Sequence, residues 1–353
     1  MLKMILTLIK KHKNKLSVIF SLAMFLIILN IIGTDEIIDA LQSIDADYLI
    51  IAFGVYIASI LVAALRWDRI IDVTEYDARY GKLLKYSLMD KFANSIFPTS
   101  AVGMALRSVL LQKEYKMPKS VGLATIVLDY GVDILGTFLI SIPFYFIIRE
   151  ELPKSLLTTF ETSLTTIGVV VVVVFFVSYS EHVLRRFGYD KRLRLRDRSK
   201  TINRAASTNL GKKFIEFSDT FGLILEKPVI FSNTLFLTVF KVFLDAIRIS
   251  ILFQAFGVSI PLYYFILFDS TWTFLAPLMF TPGGVGVIES GRIALYSLIP
   301  NVSTGIIAPV VFIDRLITYW MTVFIGAVLF FSTGIDVGSL RDNMRSDNAK
   351  GAE

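Results

Sequence analysis

Long apolar stretches alternate with short polar ones along the chain. Six of them have helical length: about 16–33, 48–66, 121–148, 164–180, 229–253 and 305–332. Each approaches or exceeds the ~18 consecutive apolar residues that mark a membrane-crossing helix. Two further apolar regions, roughly 84–112 and 264–297, are interrupted in the middle by Pro and Gly. The interruptions look like copies: Phe97-Pro-Thr-Ser-Ala-Val-Gly103 and Phe280-Thr-Pro-Gly-Gly-Val-Gly286. Their surroundings repeat as well. Arg66 stands 31 residues before Phe97 and Arg248 stands 32 before Phe280, while Asp129 follows Gly103 by 26 residues and Asp314 follows Gly286 by 28. Duplicated units with helix breaks in corresponding places are the best sequence pointer to a transporter's binding site.

Charge then orients the helices. Lys and Arg in short loops mark the cytoplasmic side. Between Leu16 and Leu65 there is none, whereas the loop after the first span carries Asp35, Glu36, Asp39, Asp45 and Asp47. That loop is read as outside and both termini as cytoplasmic. Arg69, Arg79, Lys82, Lys85 and Lys91 place 67–93 inside, and nine Lys or Arg between Arg185 and Arg204 place 181–228 inside. If 84–112 crossed completely, Lys113, Lys116 and Lys119 would fall outside. A hairpin that enters from the cytoplasm and returns keeps them inside, and the uncharged flanks of 264–297 suit a second hairpin entering from outside. The expected fold is an all-α polytopic membrane protein of about six full spans plus two re-entrant hairpins in an inverted-topology repeat. It forms one integral domain over 1–353. An N-terminal span and outer loop occupy 1–47 and repeat unit one 48–148. A linking span and basic segment fill 149–228, the inverted unit two 229–332, and a polar cytoplasmic tail 333–353. The first span follows Lys10, Lys11, Lys13 and Lys15 like a signal peptide, but it has no small-residue cleavage site.

Composition narrows the chemistry. The chain is 54% hydrophobic and 19% charged, against roughly 25% charged in soluble domains. With no Cys, disulfides, thiolate metal sites and Cys nucleophiles are excluded; His12 and His182 lie only in charged flanks. No cofactor, metal or nucleic acid is expected. The basic segment, with its amphipathic run from Lys212 to Phe221, suits anionic headgroups as well as it suits the inside rule.

The candidate site is therefore built from the breaks and the charges around them. Pro98 and Pro282 end the entering helices, and Gly103, Gly283, Gly284 and Gly286 admit close backbone approach. Thr99 and Ser100 can cap the first exiting half-helix, and free N–H groups there attract anions. A plain glycine-mediated helix contact is the alternative. Ionisable residues inside spans are functional hypotheses by default. Arg107 and Glu289 lie one turn beyond their tips, where a ligand or coupling role is expected. Asp129 and Asp133 share a face. Asp245 can pair with Arg248 in a structural role, or Arg248 can join Arg107 and the free N–H groups in holding a headgroup phosphate. Asp314 and Arg315 fall within the last span, and Asp269 falls within the second hairpin. Arg66, next to Trp67, reads as an interfacial anchor.

The run Asn94-x-x-x-Pro98-x-x-x-x-Gly103-x-x-x-Arg107, with Pro282-Gly-Gly-Val-Gly-Val-Ile-Glu289 later, resembles the lysylphosphatidylglycerol synthase transmembrane-region family over nearly the whole chain. That resemblance implies lipid translocation in the cell membrane of a bacterium or archaeon. By position it assigns Asn94, Pro98, Gly103, Arg107, Pro282, Gly283, Gly284, Gly286 and Glu289 to the motif. Two departures stand out. Asp314-Arg315 has only Asp129-Tyr130 as its counterpart, and Phe331 is followed by a polar tail where a soluble synthase domain would stand. The expected function is a flippase or transporter for an anionic lipid, such as a polyprenyl-phosphate-linked or modified phospholipid. Its partners are that lipid and the bilayer, and a homo-oligomer is allowed. A membrane-embedded transferase, drawing on Asp129 and Asp133, and a non-catalytic scaffold are the alternatives.

Overall fold

A computed structural model describes residues 44–96, 101–152, 227–275 and 281–332, with isolated positions between 154 and 169. The expected spans at 16–33 and 164–180, most of the basic segment 181–228 and the tail lie outside these continuous stretches. Every described element is helical. In chain order they are α1 (Ala46–Ile71), α2 (Tyr80–Ile96), α3 (Ala101–Tyr115), α4 (Lys119–Ile148), α5 (Pro228–Gln254), α6 (Leu262–Leu275), a tight turn at Pro282–Gly284, α7 (Val287–Tyr296), α8 (Thr304–Arg315), a π-helical turn at Leu316–Trp320 and α9 (Met321–Phe331).

Local chemistry sets several of these starts. The Asp45 carboxylate accepts the Asp47 N–H at 3.2 Å, and Ser303 accepts the Gly305 N–H at 3.3 Å. Pro228 opens α5, where its missing N–H costs nothing. Three helical stretches are long and apolar enough to cross a membrane: Ala46–Ile71, Lys119–Ile148 and Thr304–Phe331. At 1.5 Å per residue the 27 residues of α5 span ~40 Å. The pieces on either side of the two breaks are different. With 17, 15, 14 and 10 residues, α2, α3, α6 and α7 reach only ~15–25 Å each, short of a ~30 Å hydrocarbon core.

Two apolar cores share the long helices. One gathers Trp67, Leu83, Met89, Leu106 and Met117 with Phe330; the other gathers Phe253, Phe265, Phe268, Tyr296 and Val310 with Ala52 and Ile148. Each long helix feeds one core at one end and the other core at its opposite end. Its polar residues fall between: Ser59 and Arg66 on α1, Asp129 on α4, Thr234, Thr238 and Lys241 on α5. Large side chains such as Ile50, Phe146, Phe236 and Phe324 face outward, as a lipid-covered surface requires.

The helix directions follow from cross-contacts. Ser59 bonds Asp245, Arg66 bonds Thr238, and the Lys227 ammonium reaches the Val73 carbonyl. As numbers rise along α1 they fall along α5, so these two packed helices run antiparallel. Packing between hairpins and spans is reciprocal: α2 lies against α9, and α6 lies against α4. The α2–α9 contact depends on Gly326, where a Cβ would strike the Leu88 carbonyl and the Phe92 side chain. Gly326→Val is expected to cost about 1–3 kcal/mol through overpacking, read as a lower melting temperature in detergent. Gly54→Ala, whose Cβ meets open space, is the matched control and should leave the melt unchanged or raise it.

Candidate functional site

Within the long helices, charges are assembled into two clamps of the same design, one on either side of their midpoints. In the first, Arg66 Nε of α1 donates to Asp129 Oδ1 at 2.8 Å, and Arg107 of α3 reaches Asp129 Oδ2 at 3.2 Å. Arg66 also bonds Asp133 Oδ1 one turn further along α4, and Thr238 at 3.0 Å. The Arg107 guanidinium stacks on the Trp67 ring, 3.6 Å from its centroid. In the second clamp, Arg248 Nε of α5 donates to Asp314 Oδ1 at 2.7 Å, and Arg292 of α7 reaches Asp314 Oδ2 at 2.5 Å. Arg248 further bonds Asp245 at 2.6 Å and lies 5.5 Å from the Tyr56 ring centroid; Arg292 comes within 3.4 Å of Asp269. In each clamp one aspartate divides its two oxygens between an arginine of a long helix and an arginine just past a helix break.

Both clamps are sealed. Arg66, Arg107 and Arg248 are 3–4% exposed and Asp314 is 1% exposed. Charges of this kind persist in an apolar interior only when paired and hydrogen-bonded. The groups between the clamps are looser. Lys241 lies 3.4 Å from Asp133 and 3.9 Å from Asp245, and these three side chains keep 24%, 19% and 25% of their surface. Lys241 stands 13 residues from both Pro228 and Gln254, at the midpoint of α5. Asp133 is equally central in α4, 14 residues from Lys119 and 15 from Ile148.

The helix breaks adjoin this belt. In the first, the Asn94 side chain accepts the Gly103 N–H at 3.0 Å and donates to Asp90, which also receives the Tyr130 hydroxyl. A Cβ at Gly103 would collide with Asp90 and Asn94, so only glycine allows this clasp. Pro98, Thr99 and Ser100 lie outside the described residues. In the second, Gly283, Gly284 and Gly286 hold φ of 62°, 67° and 85°, the left-handed region that favours glycine. Glu289 Oε2 accepts the Gly286 N–H at 2.8 Å, and Glu289 Oε1 accepts from Arg315 Nε at 2.6 Å. Arg315 also donates to the Gly283 carbonyl at 3.0 Å. Glu289 therefore occupies the N–H expected to be free for an anion. The two breaks are neighbours, since α2 packs against Pro282–Gly284.

Beside the second break the last span changes pitch. The π-helical turn begins immediately after Asp314-Arg315, and Tyr56 donates to the Thr318 carbonyl within it at 2.6 Å. Such turns widen a helix locally and concentrate at functional sites. Here the turn sets Tyr319 over Gly283 and within 4.3 Å of Arg315.

Several assignments change in three dimensions. Arg66 is no interfacial anchor: α1 runs on to Ile71, which carries Arg66 inside and onto two aspartates. By its partners the counterpart of Arg107 is Arg292, not Glu289. Arg292 went unnoticed in the sequence, although it is the only Lys or Arg between Arg248 and Arg315. Leu106 stands three residues after Gly103 as Glu289 stands three after Gly286, and Tyr130 stands where Arg315 does. The first half thus lacks both members of the Glu289–Arg315 pair rather than one. Asp129 and Asp133, the acid pair a transferase would need, are both held by the Arg66 guanidinium.

Apolar helices of spanning length, joined through buried ion clusters, define a helical membrane protein. Comparison with known proteins agrees. Residues 15–326 match the lysylphosphatidylglycerol synthase TM region, and the chain belongs to that family. It is 24% identical over 339 residues to a UPF0104 membrane protein of Methanothermobacter thermautotrophicus, covering 92% of this chain and 97% of the relative. A UPF0104 membrane protein of Methanocaldococcus jannaschii is 25% identical over 351 residues, 93% of this chain and 98% of its own. One from Pyrococcus horikoshii is 20% identical over 324 residues, with 90% and 96% covered.

Proposed function

We propose that this protein carries an anionic, phosphate-bearing lipid across the cell membrane by alternating access. The two halves act as inverted repeats, and α2–α3 and α6–α7 act as hairpins that enter from opposite sides and meet at mid-depth. The carrying observation is the doubled clamp. Two aspartates, each shared by one long-helix arginine and one arginine past a break, lie in halves whose leading helices α1 and α5 run antiparallel. Broken helices at that depth are tolerated where they line a wet cavity, and rocking of one repeat against the other exposes such a cavity to each side in turn. The lipid tails would stay in the bilayer while the headgroup passes beside the tips.

The reading is tested by reconstituting the full chain into phosphatidylcholine vesicles with a trace of fluorescent phosphatidic acid and quenching the outer leaflet. Protein-dependent exposure of the inner-leaflet probe is expected, absent for a neutral diacylglycerol probe. Equal movement of both probes, or of neither, would remove the anionic-lipid carrier from consideration.

A further inference from the structure

The guanidinium–carboxylate pairs of the belt each stay within one half. Arg66 and Arg107 meet Asp129 and Asp133 within α1–α4. Arg248, Arg292 and Arg315 meet Asp245, Asp269, Asp314 and Glu289 within α5–α8. Each half is thus tied internally. Among the described residues one ion pair crosses between them: Lys241 of α5 with Asp133 of α4, at 3.4 Å. Two hydrogen bonds accompany it, both involving hydroxyls: Ser59 to Asp245 at 2.9 Å and Arg66 to Thr238 at 3.0 Å.

Lys241 can also leave its partners cheaply. When the ammonium withdraws, Asp133 keeps Arg66 and Asp245 keeps Arg248, so neither carboxylate is stranded. Arg107 Nε and Arg292 Nε lack an acceptor, but both atoms are enclosed and their guanidiniums already engage Asp129 and Asp314. Lys241 instead keeps 24% of its side-chain surface, 13 residues from either end of α5. An ammonium facing hydrocarbon at the middle of a span is costly, so that surface opens onto a polar path.

We infer that the Lys241–Asp133 pair is the ionic latch between the two halves, and that the phosphate of the transported lipid opens it by taking Lys241 from Asp133. This rests on the carrier reading above. A rocking motion must break what joins the halves and spare what holds each together. Lysine suits that part, as a point charge with rotatable donors on a flexible stem, whereas a forked guanidinium locks onto carboxylates. With phosphate bound the ammonium stays paired and Asp133 falls back on Arg66. A headgroup without an anion offers Lys241 nothing in exchange, and the latch stays shut.

The test is titration calorimetry on the full-length protein in detergent, with dihexanoyl phosphatidic acid as the lipid probe and inorganic phosphate as the free anion. The two ends of the latch should respond in opposite directions. Lys241→Gln should weaken lipid binding about tenfold, through loss of one hydrogen bond to a charged group. Asp133→Asn removes the competitor for Lys241 while Arg66 keeps Asp129, and should tighten binding about threefold. Asp133→Asn alone decides the matter where Lys241→Gln does not fold. Affinities that fall together in the two variants, or stay at the wild-type value, make the pair structural and overturn the inference. Inorganic phosphate binding as tightly as the lipid would replace the latch with a free-anion site, and no lipid binding by wild type would also overturn it. The vesicle assay separates latch from carrier. Lys241→Gln that moves phosphatidic acid at the wild-type rate defeats the latch and leaves the carrier standing. Opposite shifts in affinity, with neither probe moved by wild type, defeat the carrier and leave Lys241 as a phosphate-binding residue.

Discussion

Asp314→Asn should deprive the folded protein of much of its stability, about 3–5 kcal/mol, and Asp129→Asn should do nearly the same. Both side chains keep their shape in these variants and lose only their charge. The reason lies in what remains. Without the Asp314 carboxylate, Arg248 keeps only the quarter-exposed Asp245 and Arg292 only Asp269 at 3.4 Å, and without that of Asp129, Arg107 has no carboxylate within 4.0 Å among the described residues. Removing one partner from a buried ion cluster costs this much because a desolvated charge is left uncompensated. Asp245→Asn should cost clearly less. That side chain keeps a quarter of its surface, and Arg248 retains Asp314. Melting followed by size-exclusion chromatography on the three variants gives the ranking. A melt for Asp314→Asn no lower than for Asp245→Asn would mean that water reaches the clamp and the sealed arrangement is wrong.

Glu289 and Arg315 make the second large prediction, because the molecule supplies its own control. Glu289→Leu alone leaves Arg315 with only the Gly283 carbonyl, and Arg315→Tyr alone leaves Glu289 buried with only the Gly286 N–H. Each single variant should lose about 3–5 kcal/mol. The double variant reproduces the Leu106 and Tyr130 of the first half, which carries neither charge there and is packed without them. It should lose clearly less than the sum of the two single losses, with a coupling of about 1–3 kcal/mol in the double-mutant cycle. If the two single losses simply add, the pair is not the unit that holds the second break. The same double variant bears on function. A folded protein that no longer moves phosphatidic acid would give the asymmetry between the halves a transport role, and wild-type movement would make the pair structural.

Much of this architecture can be read from the residues, and the parts that cannot share one cause. The spans at 48–66, 121–148, 229–253 and 305–332 have described helices at those places, within a few residues except at Arg66, where α1 continues to Ile71. An apolar run must bury its backbone polar groups in a helix whatever its partners are. The breaks were equally legible, since Pro98 and Gly283 to Gly286 cannot continue a helix unaided. The pairing of Asp245 with Arg248 follows from a spacing of three residues on one helix. Partners 63 residues apart, such as Arg66 and Asp129, carry no such trace in the chain. Hydropathy places Arg66 at a boundary because it cannot see the carboxylates that make an interior position bearable.

By itself, then, the sequence determined that the chain is helical and built for a membrane, where its helices run and break, and which polar residues sit within apolar surroundings. These follow from local rules: apolar length, backbone hydrogen bonding, and the φ restrictions of Pro and Gly. Tertiary structure alone decided which charges neutralise one another, that Arg292 and not Glu289 answers Arg107, and that Lys241 stays loosely held between the clamps. A buried charge is defined by its distance to others, and that distance exists only once the helices have packed.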